Sequence, residues 1–467
     1  MTSVPSTIGI VASGEDVLND AVFWVDAGRS SVVSGALSNL GTGGSALNAV
    51  FGNSTGVDSF DPALLAHTGT NYLHLPGVAS NDVSAPSITN YDITGDIEIE
   101  VGIAFATLTP ASTTLMLTRE GVDPNRAWSF YLSSGGLLGL RWFPTGSAAS
   151  QQIVVSTATL ASVGITAGQR VHVKVTLDVD NGAGGYQVRF WYSTNNGSSF
   201  SELGASPPPG VGTTSLPTVS RVLQINSSLS ATQLNANLYR AIVRNGIGGT
   251  TVFDADFTTG ITSGGQGTFT ESSANAATVT INRSTSGRKA VAVTRPILLF
   301  GTDDYLEVAD NDLLDFAAGD SFTVVAVVRQ WATPTSFGRI IDKKNGGGVG
   351  VGWDLTSNGT AVQPAFFIGD ATNGANRTGA VSSAGTLQIV SGIVNRSAQT
   401  AQLYTNNTPS ATTSTTAVGS LANSLPMRIG IAANTLGSAS DMELVAAAVW
   451  RRALNANEIA TIVARYT

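Results

Sequence analysis

The chain has 467 residues, 52 of them glycine, no cysteine, 24 Lys and Arg against 32 Asp and Glu, and a net charge of −8. The missing cysteine excludes disulfides and thiolate metal sites, and an acidic balance without a Lys/Arg stripe removes the electrostatic footprint of nucleic-acid binding. The longest apolar runs, residues 322–328 and 444–450, fall short of the ~20 residues a helical membrane span needs, and residues 1–18 lack the basic-then-apolar pattern of a secretory signal peptide.

Abundant Gly, Ser, Thr and Asn beside short β-branched runs predict an all-β chain. Length allows three domains of about 150 residues, or two sandwiches of roughly 200–250. In chain order, the first long strand covers residues 96–105: Ile97, Ile99, Val101, Ile103 and Phe105 take one face, and Asp96, Glu98 and Glu100 the other. Residues 170–180 repeat the pattern with Val171, Val173, Val175, Leu177 and Val179. The Asp180-Asn181-Gly182 turn then leads into Tyr186, Val188, Phe190 and Tyr192, which makes the pair a hairpin. Period-two alternation of this length is what a sheet with one wet face requires. Residues 322–328 are apolar on both faces, as in a central strand covered from both sides. Near the C-terminus, Asn455-Ala456-Asn457-Glu458 reads as a capping box, and Ile459, Ile462 and Val463 follow at helical spacing.

An internal repeat divides the chain. Gly69-Thr70-Asn71-Tyr72-Leu73 recurs as Gly301-Thr302-Asp303-Asp304-Tyr305-Leu306. Strands at 96–105 and 321–329 are each followed by Thr-Pro, at Thr109-Pro110 and Thr333-Pro334. Thr118-Arg119-Glu120-Gly121 is matched by Asp342-Lys343-Lys344-Asn345, and Tyr192-Ser193-Thr194-Asn195-Asn196 by Tyr404-Thr405-Asn406-Asn407. Landmarks in conserved order within one chain mark a duplication. The expected division is an N-terminal arm at 1–20, a first jelly-roll β-sandwich at 21–258, a connecting segment at 259–295, and a second sandwich at 296–467 closed by the short helix.

Residues 297–467 resemble laminin-G-like domains of the concanavalin A-like lectin/glucanase superfamily. The likeness is carried by Asp304-Tyr305-Leu306-Glu307-Val308, Ile340-Ile341-Asp342-Lys343, Gly352-Trp353, Met427-Arg428-Ile429-Gly430 and Ala448-Val449-Trp450-Arg451-Arg452. The N-terminal part is similar to minor tail proteins of phages that infect actinobacteria. Phe23-Trp24-Val25-Asp26-Ala27, Tyr239-Arg240-Ala241-Ile242-Val243-Arg244-Asn245-Gly246 and Phe269-Thr270-Glu271-Ser272 carry that likeness. It implies two concanavalin A-like sandwiches in tandem on a virion, at the tail tip. The partners it implies are other virion proteins, host cell-wall glycans and further copies of the chain. A capsid decoration or head-fibre protein, a free glycan-binding adhesin and a glycoside hydrolase are the rival readings. Fold alone does not decide among them.

Glu98 and Glu100 have the strand spacing of a glycosidase carboxylate pair. The plainer reading is the solvated side of an amphipathic strand, so no catalytic residue is named and an enzyme is not expected. His67, His74 and His172 sit near no nucleophile signature and read as surface or rim histidines. No cofactor is expected beyond calcium, which laminin-G-like domains often bind; Asp303 and Asp304, with Asp310, Asp312 and Asp315 beyond them, are the candidate ligands. For glycans, the candidates are Trp191 with its strand neighbour Arg189, and Trp353 after the Gly-rich turn at 346–352.

Overall fold

A computed structural model describes residues 14–52, 61–227, 232–332, 337–359 and 361–467. Most of the expected N-terminal arm and the second Thr-Pro landmark, Thr333-Pro334, lie outside the described residues. The chain forms two compact units, one of His67–Arg295 and the other of Met1–Ala66 together with Pro296–Thr467. Both are antiparallel β-sandwiches, as the composition predicts.

In the His67–Arg295 unit, one sheet runs β12 (Gln152–Thr159), β11 (Leu137–Trp142), β10 (Arg126–Leu132), β9 (Thr114–Glu120), β17 (Leu223–Ile225), β7 (Asp82–Ala85), β21 (Thr278–Asn282), β20 (Thr268–Thr270). The other runs β15 (Ser201–Glu202), β14 (Gly185–Ser193), β13 (Val171–Asp178), β8 (Ile97–Phe105), β18 (Asn235–Asn245), β6 (Tyr72–Pro76), β22 (Val291–Val293). β16 (Gly210–Val211) pairs with β14 and β19 (Thr250–Asp256) with β18. After β19, Asp256 caps the short helix α2 (Phe257–Gly260). Every residue that the alternation of β8 assigned inward, from Ile97 to Phe105, is in the core, with Val171, Val173, Val175 and Leu177 of β13 beside it.

The second unit repeats this order. One sheet runs β29 (Gly374–Thr378), β28 (Pro364–Gly369), β27 (Gly352–Ser357), β26 (Gly338–Lys344), β34 (Met427–Ile429), β24 (Leu306–Val308), β4 (Ala49–Phe51), β3 (Ala36–Leu37), β2 (Val32–Val33). The other runs β32 (Thr408–Pro409), β31 (Thr400–Thr405), β30 (Leu387–Asn395), β25 (Phe322–Gln330), β35 (Met442–Trp450), β23 (Ile297–Phe300), β5 (Ala63–Leu65). β1 (Phe23–Asp26) pairs with β35, and β33 (Thr413–Ser414) with β31. The path from β29 to β24 matches β12 to β7, and that from β32 to β23 matches β15 to β6. The duplication therefore extends to strand order.

The division differs from the one read off the sequence. Residues 21–66 do not belong with the sandwich that follows them: β1 pairs with β35, β4 with β24 and β5 with β23. The segment expected as a connector, residues 259–295, is none, because β21 pairs with β7 and β22 with β6, and β19 just before it pairs with β18. Each segment closes a sandwich by the same three pairings, and open strand edges with unpaired N–H and C=O groups are what those pairings remove. The two sandwiches are nested along the chain rather than joined end to end.

The outer face of the β25 sheet carries Val325, Val327, Ile389 and Trp450, all buried yet outside the core cluster. Its cover is helical. α3 (Ala456–Tyr466), started by the expected capping box at Asn455 and Glu458, buries Ile459, Ile462, Val463 and Tyr466 and packs on β30. α1 (Gly14–Asn19) packs on α3, and Trp450 Nε1 donates to Val17 O at 2.8 Å. This explains why residues 322–328 are apolar on both faces.

The pairing predicts how fragments behave. A fragment of residues 67–295 is expected to fold alone, with a cooperative melt. Residues 296–467 alone lack the strands that close β35, β24 and β23, and are expected to melt without cooperativity until a peptide of residues 14–66 is added. Differential scanning calorimetry of the fragments checks this; a cooperative transition from 296–467 alone contradicts the nesting.

Candidate functional site

In both units a cation is buried at the end of the same strand. Arg119, on β9, has 1% of its side chain exposed. Its Nη1 donates to Tyr91 O and Asp92 Oδ1 at 2.6 Å, Nη2 to Val219 O at 2.6 Å, and Nε to Arg221 O at 3.2 Å. Lys343, on β26, is wholly buried. Its ammonium meets Asp310 Oδ1 at 2.7 Å, Asp315 Oδ1 at 3.0 Å, Leu425 O at 2.9 Å and Asn423 O at 3.0 Å. In each case the cation ties the loop before the central strand, β8 or β25, to the loop before the return strand, β17 or β34.

This geometry corrects the calcium expectation. Asp310 Oδ1 and Asp315 Oδ1 are both spent on the Lys343 ammonium. Asp304 is buried and its Oδ2 accepts from Gly301 N, while Asp303 is exposed, so the two candidates do not converge. Among the described residues no group of three or more His, Cys, Asp or Glu side chains is placed to hold a metal ion.

Trp353 is corrected as well. It is fully buried against the stacked rings of Phe316 and Phe322, and its Nε1 donates to Leu314 O at 3.1 Å, so it has no free face for a sugar. Trp191 is half-buried on the outer face of β14, with the Lys174 ammonium 5.5 Å from its ring. Arg189 lies on the same face, exposed, 3.6 Å from Glu202. Trp191 and Arg189 are thus brought together, and Lys174 and Phe200 join them, 4.3 Å apart.

Glu98 and Glu100 are not a solvated strand face. Both are buried. Arg244 Nη1 lies 2.5 Å from Glu98 Oε1 and 3.5 Å from Glu100 Oε2, Lys174 Nζ is 3.9 Å from Glu98, and Gly248 N donates to Glu98 Oε2. His172, which the sequence placed at the surface, is buried with Nδ1 2.8 Å from Glu100 Oε1. A glycine is needed at 197, where φ is +80° and a Cβ would stand 2.9 Å from Glu100 Oε1 and 3.0 Å from His172 Nδ1. The β14–β15 loop therefore closes over the pair. Burial raises the Glu100 carboxyl, but the His172 hydrogen bond and the His172 and Arg244 charges outweigh it and hold the pKa below the ordinary value. His74 is also buried, its Nδ1 2.8 Å from Asn237 Oδ1, while His67 meets Asn71 at 3.0 Å.

Sequence reasoning missed two features. One is a cleft of about 330 Å³ in the His67–Arg295 unit, between the loops that Arg119 ties, with Ser87, Thr89, Asp92, Thr218 and Ser220 in its walls. Asp92 Oδ1 is spent on Arg119 and on Val219 N at 3.1 Å, and Oδ2 accepts no hydrogen bond from the described residues. The Ser/Thr content of those loops was visible in the sequence, but their meeting was not. The other is a buried pair of carboxylates directly across from one another, Asp342 on β26 and Asp354 on β27. They share one guanidinium: Arg339 Nη1 is 3.0 Å from Asp354 Oδ2, and Nε is 3.3 Å from Asp342 Oδ2. Lys344 N and Ala433 N complete Asp342, whereas Asp354 Oδ1 is buried without a partner. Burial raises both: Asp342, opposed by Arg339, to about 6, and Asp354, with Asp342 adding to the effect, to about 7.

Residues 300–460 match the family described as the concanavalin A-like lectin/glucanases superfamily. No curated protein matches the sequence. Among solved structures, the binding domain of Paraclostridial Mosquitocidal Protein 1 is similar at 14% identity and a TM-score of 0.33, over 44% of this chain and 51% of that one. A putative carbohydrate binding protein from Bacteroides ovatus is similar at 11% identity and a TM-score of 0.31, over 49% and 61%. The CBM40 of Ruminococcus gnavus IT-sialidase is similar at 12% identity and a TM-score of 0.28, over 31% and 84%. The chain thus spans about half the length of the first of these.

The buried titrating groups give the two units opposite pH responses. Asp342 and Asp354 titrate above the unfolded value of 3.8, so their unit holds extra protons when folded and loses stability as pH rises toward 7. Burial, opposed by the Asn237 hydrogen bond, lowers His74 from 6.5 to about 4, so its unit loses stability as pH falls through that window. As pH falls from about 7.5 to about 5.5 the melting transition of the first unit, His67–Arg295, is expected to fall and that of the second to rise. Calorimetry checks this, with Asp354→Asn flattening one trend and His74→Gln the other; trends of the same sign contradict the assignment.

Proposed function

We propose that this chain is a non-catalytic, glycan-contacting structural component of a phage particle, sited at the tail tip. The observation that carries the binding reading is the hydroxyl-lined cleft of the His67–Arg295 unit. Four hydroxyl side chains and one carboxylate with an unspent oxygen converge there on walls that a buried guanidinium holds in place. Polar groups fixed before the ligand arrives lose little freedom on binding, and ring hydroxyls both donate to Asp92 and accept from Ser and Thr. Trp191 with Lys174 and Arg189 offers a second polar-aromatic surface in the same unit.

The non-catalytic part rests on electrostatics. A glycosidase acid needs its pKa raised toward working pH. Glu100 moves the other way, and Glu98 is held by Arg244. The virion part is supported by the sequence likeness at Tyr239-Arg240-Ala241-Ile242-Val243-Arg244-Asn245-Gly246 and Phe269-Thr270-Glu271-Ser272. Other virion proteins, host-wall glycans and further copies of the chain are the partners this reading calls for.

Two measurements test it. Thr218→Ala with Ser220→Ala is expected to weaken binding to host-wall glycan fragments about tenfold in calorimetry while leaving the melt unchanged; unaltered binding refutes the cleft. Immunogold labelling of intact particles is expected at the tail tip. Label over the capsid would favour a decoration or head-fibre protein, and no label at all a free adhesin. Release of reducing sugar that Glu98→Gln with Glu100→Gln abolishes would establish a hydrolase.

A further inference from the structure

The second unit has a concavity of its own, about 220 Å³, lined by Ala318, Arg396, Gln399, Thr415, Thr416 and Gly419 among others. Like the cleft of the first unit, it lies between the loop before the central strand and the loop before the return strand. Its chemistry is different, because a cation lines it.

Arg396 directly follows β30. Nη1 donates to Thr415 O at 3.3 Å and Val418 O at 2.7 Å, and Nη2 to Gly419 O at 3.1 Å. Those bonds fix the guanidinium but leave its charge unmatched: among the described residues Arg396 makes no ion pair. The neighbouring carboxylates are Asp320 and Asp370, and both are engaged elsewhere. Asp320 Oδ2 takes Ala317 N at 2.9 Å and Arg451 Nη2 at 3.0 Å. Asp370 takes Gly419 N at 2.6 Å, Asn373 N at 2.6 Å and Thr372 N at 2.8 Å.

What remains is a set of donors. Of the five guanidinium N–H groups three are used, which leaves Nε–H and one N–H of Nη2, the pair that grips a carboxylate through two parallel bonds. Nε is buried without a partner, and so is the hydroxyl of Thr415, whose residue is 2% exposed. Orphaned donors inside a protein are costly, and each gains from an acceptor brought by a ligand. Gln399 Oε1 accepts from Thr416 Oγ1 at 3.3 Å, which leaves its amide N–H groups to donate. A small wall of donors and hydroxyls around one unmatched cation suits an acidic sugar ring.

We propose that this concavity binds the carboxylate of a uronic-acid residue in a glycan, with Arg396 and Thr415 on the carboxylate and Gln399 and Thr416 on ring hydroxyls. The proposal rests on the glycan-binding reading but uses none of the residues of the first cleft. The test is titration calorimetry of the full chain with an oligogalacturonate, the matching neutral galactoside, inorganic phosphate and a Glu-rich peptide, each at low and high salt. The oligogalacturonate is expected to bind, to weaken with salt, and to lose affinity about tenfold in Arg396→Lys and in Thr415→Val. Thr415→Val removes a hydroxyl that has no partner, so its melt should match the parent. Thr218→Ala with Ser220→Ala should leave uronate binding intact. Equal binding of phosphate or of the peptide, or undiminished affinity in Thr415→Val, overturns the proposal. Absence of uronate binding while the neutral glycan still binds overturns it alone; absence of both overturns the glycan reading as well.

Discussion

Arg119 and Lys343 are charges carried inside the protein, and breaking a buried, hydrogen-bonded charge pair costs about 3–5 kcal/mol. The loops that supply their oxygens therefore have little freedom to drift. Each cation takes oxygens from the loop before the central strand and from the loop before the return strand. One end of each sandwich is thereby fixed by a point inside the molecule rather than by loop-to-loop packing. The exposed sides of those loops, where both concavities lie, are left to vary in chemistry without risk to the fold. Binding residues on loops positioned by a rigid scaffold follow the same logic.

The nesting of the chain shows what periodicity contains and what it omits. Alternation in residues 97–105 and 171–178 assigned inner and outer faces correctly because side-chain direction is a local property of a strand. Partner choice is not local. β1 lies against Ala446, Ala447, Ala448 and Val449, more than four hundred residues away, and no pattern in Phe23-Trp24-Val25-Asp26 names that partner. The repeat landmarks marked the duplication, and the basic residue they aligned, Arg119 with Lys343, proved to be the buried cation in both units. The same landmarks did not reach residues 23–65 and 250–293, whose kinship appears only when both are seen closing a sandwich.

The site was less legible than the fold. A polar residue on the outer side of a strand reads the same whether water or an ion pair meets it, so Glu98, Glu100 and His172 passed as solvated. Trp353 was misplaced because the glycine-rich turn before it hid its strand; its alternation with Leu355, against Asp354 and Thr356, points it inward. The pattern of Asp310 and Asp315 points to the right ligand type and the wrong cation. An ammonium satisfies hard oxygens as well as a metal ion does, and Lys343 lies thirty-three residues from Asp310 along the chain.

The two units also differ in how they cover the same sheet. The outer face of the central strand needs a lid in both. In the second unit Val325 and Val327 present an apolar surface, and helices α1 and α3 bury it together with Trp450. In the first, Glu98 and Glu100 occupy the matching face, and the lid is made of countercharges: Arg244 from β18, His172 and Lys174 from β13, and the glycine loop at 197. An apolar lid gains stability from area alone and tolerates exchange among similar residues. A charged lid has no such latitude, because removing one partner strands the other. The carboxylates of Glu98 and Glu100 face these countercharges rather than solvent. In the proposed reading, ligand contact in the first unit falls to the cleft and to the Trp191 surface rather than to the Glu98 and Glu100 face.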